Sequence, residues 1–178
     1  EPSAGPSSTG HTLTEVYNRA KTSSRPAKTG ETTSYGTGSD GNLQKGVTWP
    51  NLRFTDHLDG TVTDNLTGLI WLKNANNAGS TKNWADALTY CDELSDSGYS
   101  DWRLPNAKEL FSLIDLGRYG PPLPSGHPFT GVQLSYYWSS TTYAANTSSA
   151  YHVPLSNAYV YPSGKANAYY VWPVRGGQ

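Results

Sequence analysis

KNWADALTYCDELSDS, residues 82–97, carries Trp84, Ala87, Leu88, Cys91 and Leu94 at steps of three and four. That spacing predicts a helix with a single apolar face, because an α-helix makes a turn every 3.6 residues. Thr81 or Asn83 can accept from its first free amides, and Gly98 stands where the chain must leave the helix. Just downstream, NAKELFSLIDL (residues 106–116) predicts a second helix. Asn106 is its candidate cap with Glu109 three residues on, and Leu110, Leu113 and Ile114 face inward. Asp101-Trp102-Arg103-Leu104-Pro105 joins the two.

Upstream of the helices the period changes to that of strands. RFTDHLDGTVTDNLTGLIWLK (residues 53–73) places Asp59-Gly60 between two short strand-like runs, a hairpin signal. A second turn at Asn65–Gly68 leads into the apolar run Leu69–Leu72. Downstream, Gly117–Gly131 reads as a Pro/Gly-rich surface loop, and Tyr136–Thr141 and Tyr170–Arg175 read as strands. The residues alone thus predict two helices, with β segments before and after them and a strand at the C-terminus. Residues 1–26 are rich in Ser, Thr and Pro and read as a linker, with a short helix expected from His11 to Lys21 through Leu13, Val16 and Tyr17. Residues 27–53 read as extended and punctuated by glycine, so the domain is expected to span 27–178.

The charge balance excludes several functions. All fourteen carboxylates lie in residues 1–115, while 116–178 carry only Arg118, Lys165 and Arg175. The C-terminal part is therefore weakly basic and poor in charge, unlike a nucleic-acid-binding surface. No apolar run approaches the ~20 residues of a membrane-spanning helix. Cys91 is the single cysteine, so a disulfide within the chain is impossible, and its place on the apolar helix face predicts an inert thiol. His11, His57, His127 and His152 show no metal-ligand spacing. Neither a Gly-x-Ser-x-Gly elbow nor a zinc-type His/Glu motif occurs. No enzyme activity and no cofactor are expected. A structural calcium near Asp56, Asp59 and Asp64 stays open beside ordinary turn chemistry, since the spacing lacks the alternating oxygens of an EF-hand.

The last quarter, residues 136–178, reads YYWSSTTYAANTSSAYHVPLSNAYVYPSGKANAYYVWPVRGGQ. It holds eight of the thirteen tyrosines and no Asp or Glu, a mixture closer to a binding surface than to a core. Tyrosine offers rigid contact area at low entropy cost, while Ser and Asn supply adaptable hydrogen bonds. The candidate ligand-binding residues are Tyr151, His152, Ser156, Asn157, Tyr159, Tyr161, Ser163, Asn167, Tyr169 and Trp172. They are expected to share one exposed face, with Trp71, Trp84, Trp102 and Trp138 buried. The alternative is an irregular tyrosine-rich sheet with nothing to bind.

Four blocks carry a resemblance: RFTDHLDGTVTDNLTGLIW (53–71), SDWRLPNAKELFSLID (100–115), PFTGVQLSYYWSSTTYA (128–144) and VRGGQ (174–178). In order and spacing they resemble the Lcl C-terminal domain family, named for a bacterial collagen-like adhesin, and AKTGETTSY (27–35) extends the likeness. The resemblance implies a C-type-lectin-like α+β fold of the branch shared with formylglycine-generating enzymes, with two helices packed on small antiparallel sheets. It also implies structural roles for Trp102, Trp138 and Arg175, with Arg175 pairing with a buried acceptor such as Asp101. Many members are targets of diversity-generating retroelements, which rewrite adenines in a C-terminal cassette. An AAC codon so changed can give Asn, Tyr, Ser, His, Pro, Ala, Gly, Leu or Thr, the residues that dominate 143–169; Trp172 needs a different template codon. The chain departs from the family where Ala158 stands for Gly, and where Pro173 stands for a second Cys found in some members.

The resemblance thus implies a non-enzymatic, variable ligand-binding protein, exported or on the cell surface, that recognises a protein or glycan on another surface. A fixed-sequence, polysaccharide-binding adhesin is the alternative, weakened for sulfated polymers by the scarcity of basic residues. The formylglycine-generating chemistry of the related enzymes needs paired cysteines, which this chain lacks.

Overall fold

The hairpin signal at Asp59-Gly60 decides how the first sheet forms. In the computed structural model, which describes residues 26–176, β1 (Phe54–Asp56) and β2 (Thr61–Asp64) pair antiparallel across it. Gly60 sits at φ +94°, a backbone conformation that strains any residue with a Cβ, so the turn favours glycine. Asp59 closes the turn by accepting from the Thr61 amide and hydroxyl. The Asn65–Gly68 turn then delivers β3 (Ile70–Leu72) against β2, and β7 (Val174–Arg175) returns from the far end of the chain to complete the order β1-β2-β3-β7.

Both expected helices are present and shorter than the apolar pattern suggested. α2 (Trp84–Asp92) is capped by Asn83, which accepts from the Asp86 amide. α3 (Ala107–Ser112) starts at a reciprocal capping box between Asn106 and Glu109. A further one-turn helix, α1 (Asp40–Leu43), lies within the segment expected to be extended. Its Asp40 accepts from the Thr29 hydroxyl, which ties this loop to the chain entering the domain.

The second sheet, order β4-β5-β6, is built from β4 (Tyr136–Thr142), β5 (Ser149–Pro154) and β6 (Tyr161–Gly164). It lies between the two longer helices. On one side Tyr137 and Val153 join Leu110, Leu113, Val62, Trp71 and Trp172 in the main core. On the other, Trp138 and Ala150 pack with Ala87, Cys91 and Leu104. Arg103 pairs its backbone with Val174, and its guanidinium holds Glu109 through two contacts of 2.7 Å and the Gly176 carbonyl at 3.0 Å. The motif between the helices thereby fastens β7 to α3. Trp102 is buried beside it, its Nε1 donating to the Asp96 carbonyl.

The fold is α+β as expected, with three short helices and two small antiparallel sheets among the described residues. Several expectations need correction. The Gly117–Gly131 loop is not all surface, since Pro122, Leu123, Pro124 and Phe129 are buried, and Phe129 meets Phe54 and Trp172 edge-on. Trp84 is only half-buried, because its ring forms a platform for the Lys165 ammonium 3.8 Å away. Arg175 does pair with Asp101, at 2.6 and 3.0 Å, but that carboxylate is exposed rather than buried. The expected helix from His11 to Lys21 lies outside the described residues.

Candidate functional site

Register explains which tyrosines reach the surface. Trp138, His152 and Tyr161 are cross-strand partners in one row, so their side chains share a face of the second sheet. Two residues before Trp138, Tyr136 stands on the same face. The rings form a continuous ladder, with Tyr161 6.3 Å from His152, and His152 5.1 Å from Tyr136 and 5.0 Å from Tyr169. Tyr159, just before β6, extends the ladder to 5.6 Å from Tyr161. Its inner end is sealed by Trp138, 4.5 Å from Tyr169. Its outer end is open: Tyr136, Tyr159 and Tyr161 are 46%, 56% and 48% exposed.

Hydrogen bonds fix the polar part of this face. Ser163 Oγ and Tyr169 OH lie 2.8 Å apart, and Asn167 donates to the same Ser163 oxygen at 2.7 Å. Ser156 and Asn157 are exposed on the turn between β5 and β6. The turn runs through Ala158 at φ +60°, a left-handed conformation that strains any residue with a Cβ. Ala158→Gly is therefore expected to raise stability by roughly 1 kcal/mol. Thermal denaturation of the two proteins checks this.

The structure divides the ten expected site residues. Tyr159, Tyr161, Ser163, Asn167 and Tyr169 fall on the ladder face, with Ser156 and Asn157 on the adjoining turn. His152 belongs to the ladder but is 5% exposed, so it supports the exposed rings from below instead of meeting a ligand. Its buried Nδ1 has no hydrogen-bond partner among the described residues, and desolvation lowers its pKa, keeping the ring neutral. Tyr151 points to the opposite face, as its position between His152 and Ala150 requires, and its ring meets Tyr143 at 5.5 Å. Trp172 is not a surface residue at all. It is fully buried, donates from Nε1 to the Leu72 carbonyl at 2.8 Å, and touches Trp71, Phe129 and Tyr137. Tyr136 was missed by sequence reasoning, although alternation from the apolar Trp138 places it on the ladder face.

Charge is nearly absent from the ladder face because the nearby cations are engaged. Lys165 donates to Thr142 Oγ1 at 2.9 Å over the Trp84 ring, and Arg175 is held by Asp101 over Tyr99. Asp101's carboxyl lies below its ordinary range through that hydrogen-bonded guanidinium. Arg118 faces Asp115 at 3.4 Å.

The three aspartates weighed for calcium do not converge. Asp56 takes Lys73 at 2.7 Å, Asp59 closes its turn, and Asp64 is buried against Arg53. Among the described residues no three His, Cys, Asp or Glu side chains gather as a metal site, and no helix is long and apolar enough to cross a membrane. Cys91 is fully buried, and desolvation pushes its thiol up to about 12.

A family model described as the Lcl C-terminal domain matches residues 60–175, which include both sheets from β2 onward, α2, α3 and the whole ladder. The chain belongs to the Lcl C-terminal domain family. No curated protein matches the chain. Within the Lcl C-terminal domain frame, the motif residues Trp102 and Trp138 are buried and Arg175 is ion-paired, while the tyrosines of residues 159–161 stand outside.

Proposed function

We propose that this domain is a non-enzymatic ligand-binding module, exported or displayed at a cell surface, whose tyrosine ladder meets a macromolecular ligand. The observation that carries the reading is the ladder itself. Tyr136, Tyr159 and Tyr161 stand exposed, on rings packed beneath them, beside Ser and Asn side chains and without a free charge. Aromatic side chains so presented are the usual anchors of binding surfaces. Membership in the Lcl C-terminal domain family is consistent with a surface or ligand-binding role. The two-helix, two-sheet arrangement is consistent with a C-type-lectin-like fold related to formylglycine-generating enzymes.

The absence of catalysis is supported by Cys91, whose burial disfavours the thiolate that nucleophilic chemistry requires. Retroelement diversification is supported by the residue types now placed at the surface. Ser156, Asn157, Tyr159, Tyr161, Ser163 and Asn167 are all reachable from AAC by changing adenines, while Lys165 is not. Trp172, which is not either, lies in the core and outside the variable set. A downstream DNA repeat differing only at adenines, beside a reverse transcriptase gene, is the expected finding; its absence would leave a surface of fixed sequence. The alternative is a polysaccharide-binding adhesin of fixed sequence; its sulfated-polymer version is disfavoured because Lys165, Arg175 and Arg118 are already engaged and a lone Lys108 makes no basic patch.

The test is a double substitution, Tyr159→Ser with Tyr161→Ser. Stability is expected to stay within about 1 kcal/mol of wild type, as for surface changes away from special features. Binding to whatever the wild-type domain captures from a displayed peptide library or a glycan array is expected to be lost. A marked fall in thermal stability, or binding that survives both changes, would show that these tyrosines serve the fold.

A further inference from the structure

Tyr151 lies on the opposite face of β5 from the ladder, yet it lines a cleft that opens beside Tyr159 and Tyr161. The cleft, of about 360 Å³, runs between the β5–β6 end of the second sheet and the start of α3. Tyr151, Val160 and Thr141 line it from the sheet side, and Asn106, Ala107 and Lys108 from α3. Val160, between the two exposed tyrosines, is itself 37% exposed. Segment 159–161 thus separates two surfaces, and a ligand gripping it touches both.

Some of the cleft's polar atoms are spent on the protein. Asn106 Oδ1 accepts from the Lys108 and Glu109 amides at 2.9 Å, and Thr141 Oγ1 accepts from the Ala107 amide at 3.0 Å. What remains open is mostly apolar, namely the Tyr151 ring, Val160, Ala107 and the Lys108 methylenes, with the Tyr151 hydroxyl, Asn106 Nδ2 and Lys108 Nζ unbonded among the described residues. A pyranose, with hydroxyls on every side, finds few polar partners on such a mostly apolar lining. An apolar amino-acid side chain needs none. Lys108 is the one Lys, Arg, Asp or Glu lining the cleft, is exposed, and has no ion-pair partner among the described residues. No carboxylate faces it from the cleft's other walls.

We propose that the ligand is a protein segment that seats an apolar side chain between Tyr151 and Val160 and sets an adjacent Asp or Glu against Lys108. This rests on the ladder being a binding surface, and adds a fixed second wall on α3 with Lys108 as its specificity-determining residue. β6 itself is poorly suited to adding a partner strand, because Pro162 removes an amide from the middle of that edge strand. The partner therefore docks by side chains.

The test is selection of a displayed random peptide library on the wild-type domain, followed by measurement on Lys108→Glu, Val160→Ser and the Tyr159→Ser/Tyr161→Ser variant. Selected peptides are expected to share an apolar residue beside Asp or Glu. Lys108→Glu is expected to weaken them about tenfold, since it replaces an exposed attraction with a repulsion. Reselection on that variant should favour Lys or Arg. Val160→Ser should weaken both sets. Peptides that depend on Tyr159 and Tyr161 but show no acidic preference and ignore Lys108→Glu would overturn the cleft while leaving the ladder. Peptides indifferent to every one of these changes would overturn both. Failure to enrich any peptide would overturn a protein segment as the ligand.

Discussion

Trp172→Ala is expected to lower stability by roughly 3–5 kcal/mol, the range for large aromatic truncations in a core. The ring sits where the two sheets meet, edge-on to Trp71 at 5.7 Å and to Phe129 at 4.8 Å, and tilted against Tyr137 at 5.7 Å. Its removal opens a void that these rigid rings cannot fill by small rotations. It also removes the donor to the Leu72 carbonyl, next to the β3 residues that pair with β7. Trp172→Phe keeps most of the ring volume and loses that hydrogen bond, so it should fall between alanine and wild type. Chemical denaturation of the three proteins provides the comparison. An alanine variant as stable as wild type would remove Trp172 from the core.

Asp64→Asn is expected to cost about 3–5 kcal/mol, as when one member of a buried ion pair is removed. Asp64 is fully buried, accepts from Arg53 Nε at 2.7 Å and Nη2 at 3.0 Å, and also holds the Leu66 amide and the Thr67 hydroxyl. The carboxylate therefore closes the turn after β2 and neutralises a cation lying against Trp49 and Phe54. Asparagine leaves that cation buried, with its Nη1 already lacking a partner among the described residues. Adding Arg53→Met to Asp64→Asn should recover part of the loss, because the uncompensated charge goes with it. A double-mutant cycle measures that coupling. Additive losses would mean the pair is not coupled.

Local features of this fold were legible in the sequence wherever one residue type has one physical use. Asp59-Gly60 marked the hairpin, Asn106 with Glu109 marked the start of α3, and the 3.6-residue spacing marked α2. The α2 pattern ran past the helix, because Leu94 packs as partly buried coil after Asp92. α1 escaped because a single turn of Asp, Gly, Asn and Leu has no apolar period to detect. The candidate site was legible as composition and not as placement. Tyr151 and His152 are adjacent and similar in kind, yet register sends one to the α3 cleft and the other beneath the ladder. Register is fixed by pairing between distant strands, which a local mixture of Tyr, Ser and Asn does not encode. Trp172 was misplaced for a related reason: it follows a surface-type run, but alternates with Tyr170 and Val174 toward the core.

The central claim is that the exposed residues of this face bind while the core beneath them holds the fold. Its most direct measurement is a displayed library in which Ser156, Asn157, Tyr159, Tyr161 and Asn167 are randomised, selected against an immobilised protein that the wild-type domain does not bind. Most clones are expected to remain folded, with stability within about 1 kcal/mol of the parent, and selection is expected to yield clones that bind the new target through these five positions. A library that largely unfolds, or folded clones that never acquire binding, would contradict it.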